Sequence, residues 1–212
     1  MTKGEIAGLV ILAVSLVAAA VCYPKMPELM ASHWNAAGEV DGHASRLAGL
    51  LLTPIVIAVM WLLFVAIPRI DPLKKNIARF RGIFDWFIVV MLLFVLSIEA
   101  QVVLWNLNVN VPPWTTMPIA LGFLFFFVGL LLGKAKRNYF IGIRTPWTLA
   151  SDVVWDKTHR LGSRLFMISG GIALLGVLFG RYAGIFILVP VLVSTAVVVV
   201  YSYVEYARLP SD

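Results

Sequence analysis

The sequence predicts an all-α membrane protein: residues 1–212 form a single six-span membrane domain, a bundle of six transmembrane helices with short amphipathic or membrane-hugging cytoplasmic segments. Three observations carry this. Hydrophobic residues make up 61% of the chain and charged residues 13%, against about 45–50% and about 25% in soluble domains. The apolar residues fall in long runs rather than alternating ten-residue segments, so the spans are helices and not barrel strands. The basic residues gather on one set of connections and avoid the other, which is the signature of a polytopic topology.

A hydrocarbon core of about 30 Å takes about 20 apolar residues per helix. Six stretches qualify: Gly4–Val21, Leu47–Ile67, Ile83–Trp105, Met117–Gly133, Leu161–Gly180 and Ala183–Val204. The first carries Ala18-Ala19-Ala20 and Val21-Cys22, which resemble a cleavage site and a lipobox. It is read here as a retained signal anchor. Cys22 is the sole cysteine, which excludes an internal disulfide.

Pro24 and Pro27 stop the first helix, because proline lacks an N–H and clashes with the preceding turn. The loop beyond holds His33-Trp34-Asn35, then the turn residues Gly38 and Asp41-Gly42. Tyr23 and Trp34 suit the interface. A compact membrane-hugging loop is expected, with His33 and Asn35 as structural hydrogen bonders or as part of an outward ligand-binding surface. His33, Asp41 and His43 are a weak metal trio whose spacing matches no strong signature. No cofactor is expected.

After the second span, Asp71-Pro72 reads as an N-cap followed by proline at the first helical position. Leu73, Ile77 and Phe80 recur at helical spacing, while Lys74, Lys75, Arg79 and Arg81 crowd the other positions. That pattern describes a short amphipathic helix on the inner surface, attracted to anionic lipid. Enforcing topology explains the same charges equally well. Either way it is a platform for a cytoplasmic protein.

Asp85 and Glu99 lie in the third span, fourteen residues apart and so on nearly one face. An acid at that depth faces a cavity or a partner. The two readings are a proton or cation pathway and a neutral Glu99 hydrogen-bonded between helices. Pro112-Pro113 opens the fourth span. Gly129-x-x-x-Gly133 and Gly176-x-x-x-Gly180 allow close helix approach, either within the bundle or in a homo-oligomer.

The 134–164 segment is the richest in polar signal. Tyr139–Ile143 is too apolar for an open loop and is expected to lie against the membrane or dip into the bundle. Thr145-Pro146 favours extended geometry. Arg144, beside Thr145, Thr148 and Trp147, is a candidate anion or carbonyl clamp. Ser151 or Asp152 caps a helix that carries Trp155, His159 and Gly162 along one face, with Asp156 and Arg160 spaced for an ion pair. No nucleophile–base pair, HExxH or phosphate loop appears, so catalysis is unsupported.

For orientation, one side carries Lys3, Arg69, Lys74, Lys75, Arg79, Arg81, Lys134, Lys136, Arg137, Arg144, Lys157, Arg160, Arg164 and Arg208; the other has Lys25, Arg46 and Arg181. The positive-inside rule puts both termini and the 134–160 loop in the cytoplasm and the His33 loop outside. The net charge of +6 therefore reports topology rather than direct nucleic-acid binding.

Two motifs resemble a known family. The outer Tyr-Pro-x-x-Pro…His-Trp-Asn-x-x-Gly-x-x-Asp-Gly segment is similar to the DUF1648 element, which covers residues 1–67. The inner Asn-x-x-x-Gly-x-Arg-Thr-Pro-Trp-Thr…Trp-x-x-Thr-His-Arg-Leu-Gly segment resembles the SdpI family, which covers residues 115–204. The resemblance implies a multi-pass protein of the bacterial or archaeal inner membrane that protects its cell from a secreted peptide toxin. It also implies a receptor that retains a cytoplasmic repressor at the membrane. The toxin-facing candidates are then His33, Trp34, Asn35, Asp41, Gly42 and His43. The repressor-facing or switching candidates are Lys74, Lys75, Arg79, Arg81, Asn138, Gly142, Arg144, Thr145, Pro146, Trp147, Thr148, Trp155, Thr158, His159 and Arg160. A small proton- or cation-coupled transporter using Asp85 and Glu99 is the alternative.

Overall fold

The computed structural model describes residues 1–35, 37–109 and 111–210. Five helical runs are long and apolar enough to cross a membrane: Lys3–Lys25, Arg46–Ile70, Arg81–Asn106, Pro113–Leu132 and the 56-residue Asp152–Ala207. The last run is not one rod. Gly180 sits at φ 54°, ψ −126°, a conformation open to glycine because it has no Cβ, and the chain doubles back there. The pairs Ser169–Ser194 (2.9 Å) and Lys157–Glu205 (2.6 Å) run in opposite chain order on either side of the break.

In chain order the elements are α1 (Lys3–Cys22), β1 (Leu29–Trp34), β2 (Val40–Ser45), α2 (Arg46–Ile70), α3 (Lys74–Ala78), α4 (Arg81–Asn106), α5 (Pro113–Leu132), α6 (Pro146–Ala150), α7 (Asp152–Leu175) and α8 (Ala183–Ala207). Helices α1, α2 and α4 pack together, as do α5, α7 and α8, and α4 against α5 joins the two groups. One end of the bundle carries the β1–β2 hairpin. The other gathers the chain start, α3 and the 134–151 connection, and is rich in basic residues; it is called the basic end below.

Side chains such as Val10, Val14, Leu52, Val59, Leu188, Leu192 and Val193 point outward and are exposed. A water-soluble surface does not carry a continuous apolar belt of this kind, so these faces meet lipid. The interior divides in two. Near the basic end, Phe84, Ile88 and Leu92 of α4 pack with Ile57, Ile77, Ile141 and Trp155. Under the hairpin, Met30 and Leu50 pack with Ala19, Met26, Val102 and Val103.

Gly129 and Gly133 face α7: an added Cβ would lie 2.7 Å from the Ser163 carbonyl oxygen at Gly129 and 2.8 Å from Ser163 Oγ at Gly133. That stripe is consumed inside the bundle. The second glycine pair does not form a stripe, since Gly180 is the break between α7 and α8.

Candidate functional site

The hairpin end is more ordered than the loop expected there. β1 and β2 pair antiparallel, Leu29 opposite Ser45 and Trp34 opposite Val40, with an irregularity around His33. A strand edge leaves backbone groups unpaired, and a side chain closes this one. Asn106, at the end of α4, accepts from the Ala31 N–H (2.9 Å) and donates to the Ala31 carbonyl (2.9 Å), imitating a neighbouring strand. Trp34 meets Trp105 edge-on at 5.4 Å. Asn35 shapes the turn, its Oδ1 accepting from the Ala37 and Glu39 N–H groups.

Of the six outer candidates, Trp34, Asn35 and Gly42 therefore serve the frame. A Cβ on Gly42 would come within 2.8 Å of His33 Cβ, so its bare backbone lets His33 lie across the strand. His33 and Asp41 form an exposed pair, Nδ1 to Oδ1 2.5 Å, with 71% and 43% of their side chains accessible. His43 is not with them; it lines a separate 380 Å³ depression with Trp105, Asn106 and Asn108. What this end offers is a solvent-facing His–Asp pair able to donate and accept.

At the basic end, the 134–151 connection is folded tightly. Asn138 is fully buried and uses its whole amide: Oδ1 accepts from Phe140 and Ile141 N–H, and Nδ2 donates to the Lys136 and Ile141 carbonyls. Ile141 enters the core while Tyr139 and Phe140 stay exposed, so only the tip of the apolar stretch dips into the bundle. Gly142 has φ 111° and lies against His159. His159 Nε2 accepts from the Ile143 N–H (3.0 Å) and Nδ1 faces the Trp155 carbonyl (2.9 Å). Only the neutral, Nδ1-protonated ring satisfies both. The ring also stacks on Trp155 at 3.9 Å, and the Trp155 indole N–H donates to Ala135.

Thr145 caps α6 in a reciprocal box with Thr148, Pro146 takes the first helical position, and Thr145 Oγ1 reaches Ser202 of α8 at 3.0 Å. Trp147 packs on Tyr203 of α8. These hydroxyls are spent on structure, so the expected anion clamp is not built. Arg144 donates to the Tyr139 carbonyl instead. Thr158 is buried, and its Oγ1 has no hydrogen-bond partner among the described residues.

Two local expectations need correcting. Asp71 does not cap α3, whose N-cap is Leu73. Its carboxylate accepts from Leu73 and, across the bundle end, from the Tyr139 N–H at 2.9 Å. Burial of this acid ties α2 to the 134–151 connection, and Asn76 adds a bond to the Arg137 carbonyl. Asp156 does not pair with Arg160; it pairs with Lys136 at 3.1 Å. Ser151, rather than Asp152, caps α7.

Of the basic candidates after the second span, Lys74, Lys75 and Arg79 are exposed. Arg81 belongs to a different structure. It bridges Glu5 (3.0 Å) and Asp85 (2.7 Å), while Arg69 also meets Glu5 at 2.8 Å. Thr2 closes the cluster with bonds to Glu5 and Asp85. Glu5 is 1% exposed; its sequence signal is an acid in the first turn of an apolar span. For Asn106 and Trp105 beneath the hairpin, the only sequence signal is a polar residue that ends a span. Deeper in α4, Glu99 is buried and accepts from Ser15 Oγ of α1, so it sits in a helix–helix contact.

Comparison with known proteins fits these two ends. Residues 134–204 match the SdpI/YfhL protein family, and residues 10–67 match a domain of unknown function, DUF1648. The chain is 24% identical over 208 residues to the immunity protein SdpI of Bacillus subtilis (strain 168), covering 98% of each. No solved structure matches it.

Proposed function

Since the chain carries the SdpI/YfhL family segment joined to a DUF1648 segment, we propose that it is a non-enzymatic membrane immunity protein which protects its cell against a secreted antimicrobial peptide. The observation that carries this reading is similarity to an immunity protein along 98% of both chains. In this reading the helices cross the membrane six times, α7 and α8 being separate crossings joined at Gly180, with both termini inside. The excess of Lys and Arg at the basic end supports that orientation. Cysteines introduced at Glu39 and at Lys75, in a Cys22→Ser background, test it: a membrane-impermeant thiol reagent should label the first in intact cells and the second only after lysis. The reverse pattern would sink the orientation.

The peptide is met at the hairpin end, where His33 and Asp41 are accessible and the frame beneath is fixed. Relay to a cytoplasmic repressor would use the exposed basic face of Lys74, Lys75 and Arg79. Signalling requires the peptide to prefer one of two conformations, and the Asp71–Tyr139 bond joins the two helix groups where such a change would be read. The Ser15–Glu99 contact suits helix packing.

Challenge of a sensitive strain tests the proposal. Expression of the protein should restore survival, and H33A/D41A, at matched membrane abundance, should lose most of it because both side chains are exposed and support no core. Survival equal to the empty vector for the unaltered protein would end the immunity reading. Full protection by the variant would move the contact elsewhere.

A further inference from the structure

A second feature of the basic end stands apart from the immunity reading. Between the end of α5 and the first turns of α7 lies a cavity of about 390 Å³ whose lining includes Lys134, Lys136, Asp156, Arg160, Ser163 and Arg164, with Leu130 and Met167 at its apolar side. Arg160 and Arg164 are one helical turn apart, so both heads project over the same opening. Neither they nor Lys134 has a carboxylate within ion-pair distance among the described residues; Asp156 is taken by Lys136. Gly133 leaves the wall open: a side chain there would press on Ser163 Oγ. The Ser163 hydroxyl has no hydrogen-bond partner among the described residues, so it is free to donate.

Unpaired guanidinium groups converging with an ammonium and a hydroxyl are a receptor for a tetrahedral oxyanion, because their donors match phosphate oxygens in charge and geometry. The cavity is also two-faced. Its polar side is formed by Lys134 and Lys136, just past the end of α5, and by the first turns of α7, and its apolar side by Leu130 and Met167. A free phosphate ion has no use for the apolar side; a phospholipid has. We propose that this cavity is a phosphate site that holds the headgroup of an anionic phospholipid, with Arg160 and Arg164 as the principal ligands.

The test is thermal unfolding of the purified full-length protein in detergent, titrated separately with phosphatidylglycerol, phosphatidylcholine and inorganic phosphate. Phosphatidylglycerol should raise the midpoint with saturation and phosphatidylcholine should not. The R160Q/R164Q variant should bind about thirtyfold more weakly, as expected for two basic contacts at a membrane surface. K74Q/K75Q, which removes equal charge from α3, should titrate like the unaltered protein. Saturable protection by inorganic phosphate, lost in R160Q/R164Q, would keep the phosphate site but replace the lipid by the free ion. Equal weakening in K74Q/K75Q would show diffuse attraction and overturn the site, as would an unaltered protein indifferent to phosphatidylglycerol. If R160Q/R164Q does not fold, R164Q alone should give a smaller loss in the same direction; no loss would count against the proposal.

Discussion

Replacing Gly142 with alanine is expected to lower stability by about 3–5 kcal/mol, from about 1–3 for the backbone conformation and the remainder from a displaced neighbour. Gly142 is held at φ 111°, where an L side chain is strained. The new Cβ would also sit 2.4 Å from His159 Nε2, the atom that accepts from Ile143. His159 has no free direction in which to yield, because its other face stacks on Trp155 and its Nδ1 is bonded to the Trp155 carbonyl. The damage therefore spreads to the indole and to its bond with Ala135. Denaturant unfolding in mixed micelles reads the effect. Gly171→Ala is the control: that glycine lies inside α7 with nothing near the added atom, so the change should be neutral or favourable by up to about 1 kcal/mol. Equal stability for both variants would mean that the Gly142 turn does not hold the connection.

Glu5→Ala should cost about 2–4 kcal/mol, because removing one partner of a buried ion pair leaves the opposite charges without compensation. The lower part of that range reflects Arg69, whose side chain is 53% accessible and can be rehydrated. Arg81 is more confined, at 21%, and would keep Asp85 and the Thr2 hydroxyl. The carboxylate half of the capping box, which accepts from the Thr2 N–H, would go as well, while the residue 5 N–H keeps its bond to the Thr2 hydroxyl. Glu5→Gln retains hydrogen-bonding capacity and should lose about half as much. Orientation should be unchanged, since acids contribute little to it. The same unfolding measurement decides: a loss below about 0.5 kcal/mol would show that helix burial alone assembles α1, α2 and α4.

Much of this architecture was legible in the sequence. Membrane residence, the positions of the apolar helices, the stop at Pro24 and Pro27 and the Pro146 helix start follow from composition and from local backbone chemistry. Those are properties of single segments, and lipid thickness sets their scale. The polar residues that matter at the basic end were also visible as residues: Asn138, Gly142, Thr145, Thr148, Trp155 and His159 stood out because polar groups and glycine are rare in such a chain. Their partners were not visible.

Asn138 satisfies four backbone groups and His159 holds Ile143 only because the connection folds back over α7. Asp71 reads as a cap from its neighbour Pro72, yet it reaches Tyr139, 68 residues away. Asp156 looks paired to Arg160 by spacing and pairs with Lys136, which frees Arg160 for the cavity. The strand hairpin was hidden because residues 29–45 mix polar and apolar groups without a clean alternation; Asn106 fixes it from outside, and Met30 of β1 anchors it in the core beneath. Local sequence thus determined which segments lie in lipid and where they begin and end, because burial in lipid acts on each segment by itself. Which polar group meets which was decided by the tertiary structure alone, since a hydrogen bond or ion pair needs two groups within about 3 Å and only the packed helices bring distant residues that close.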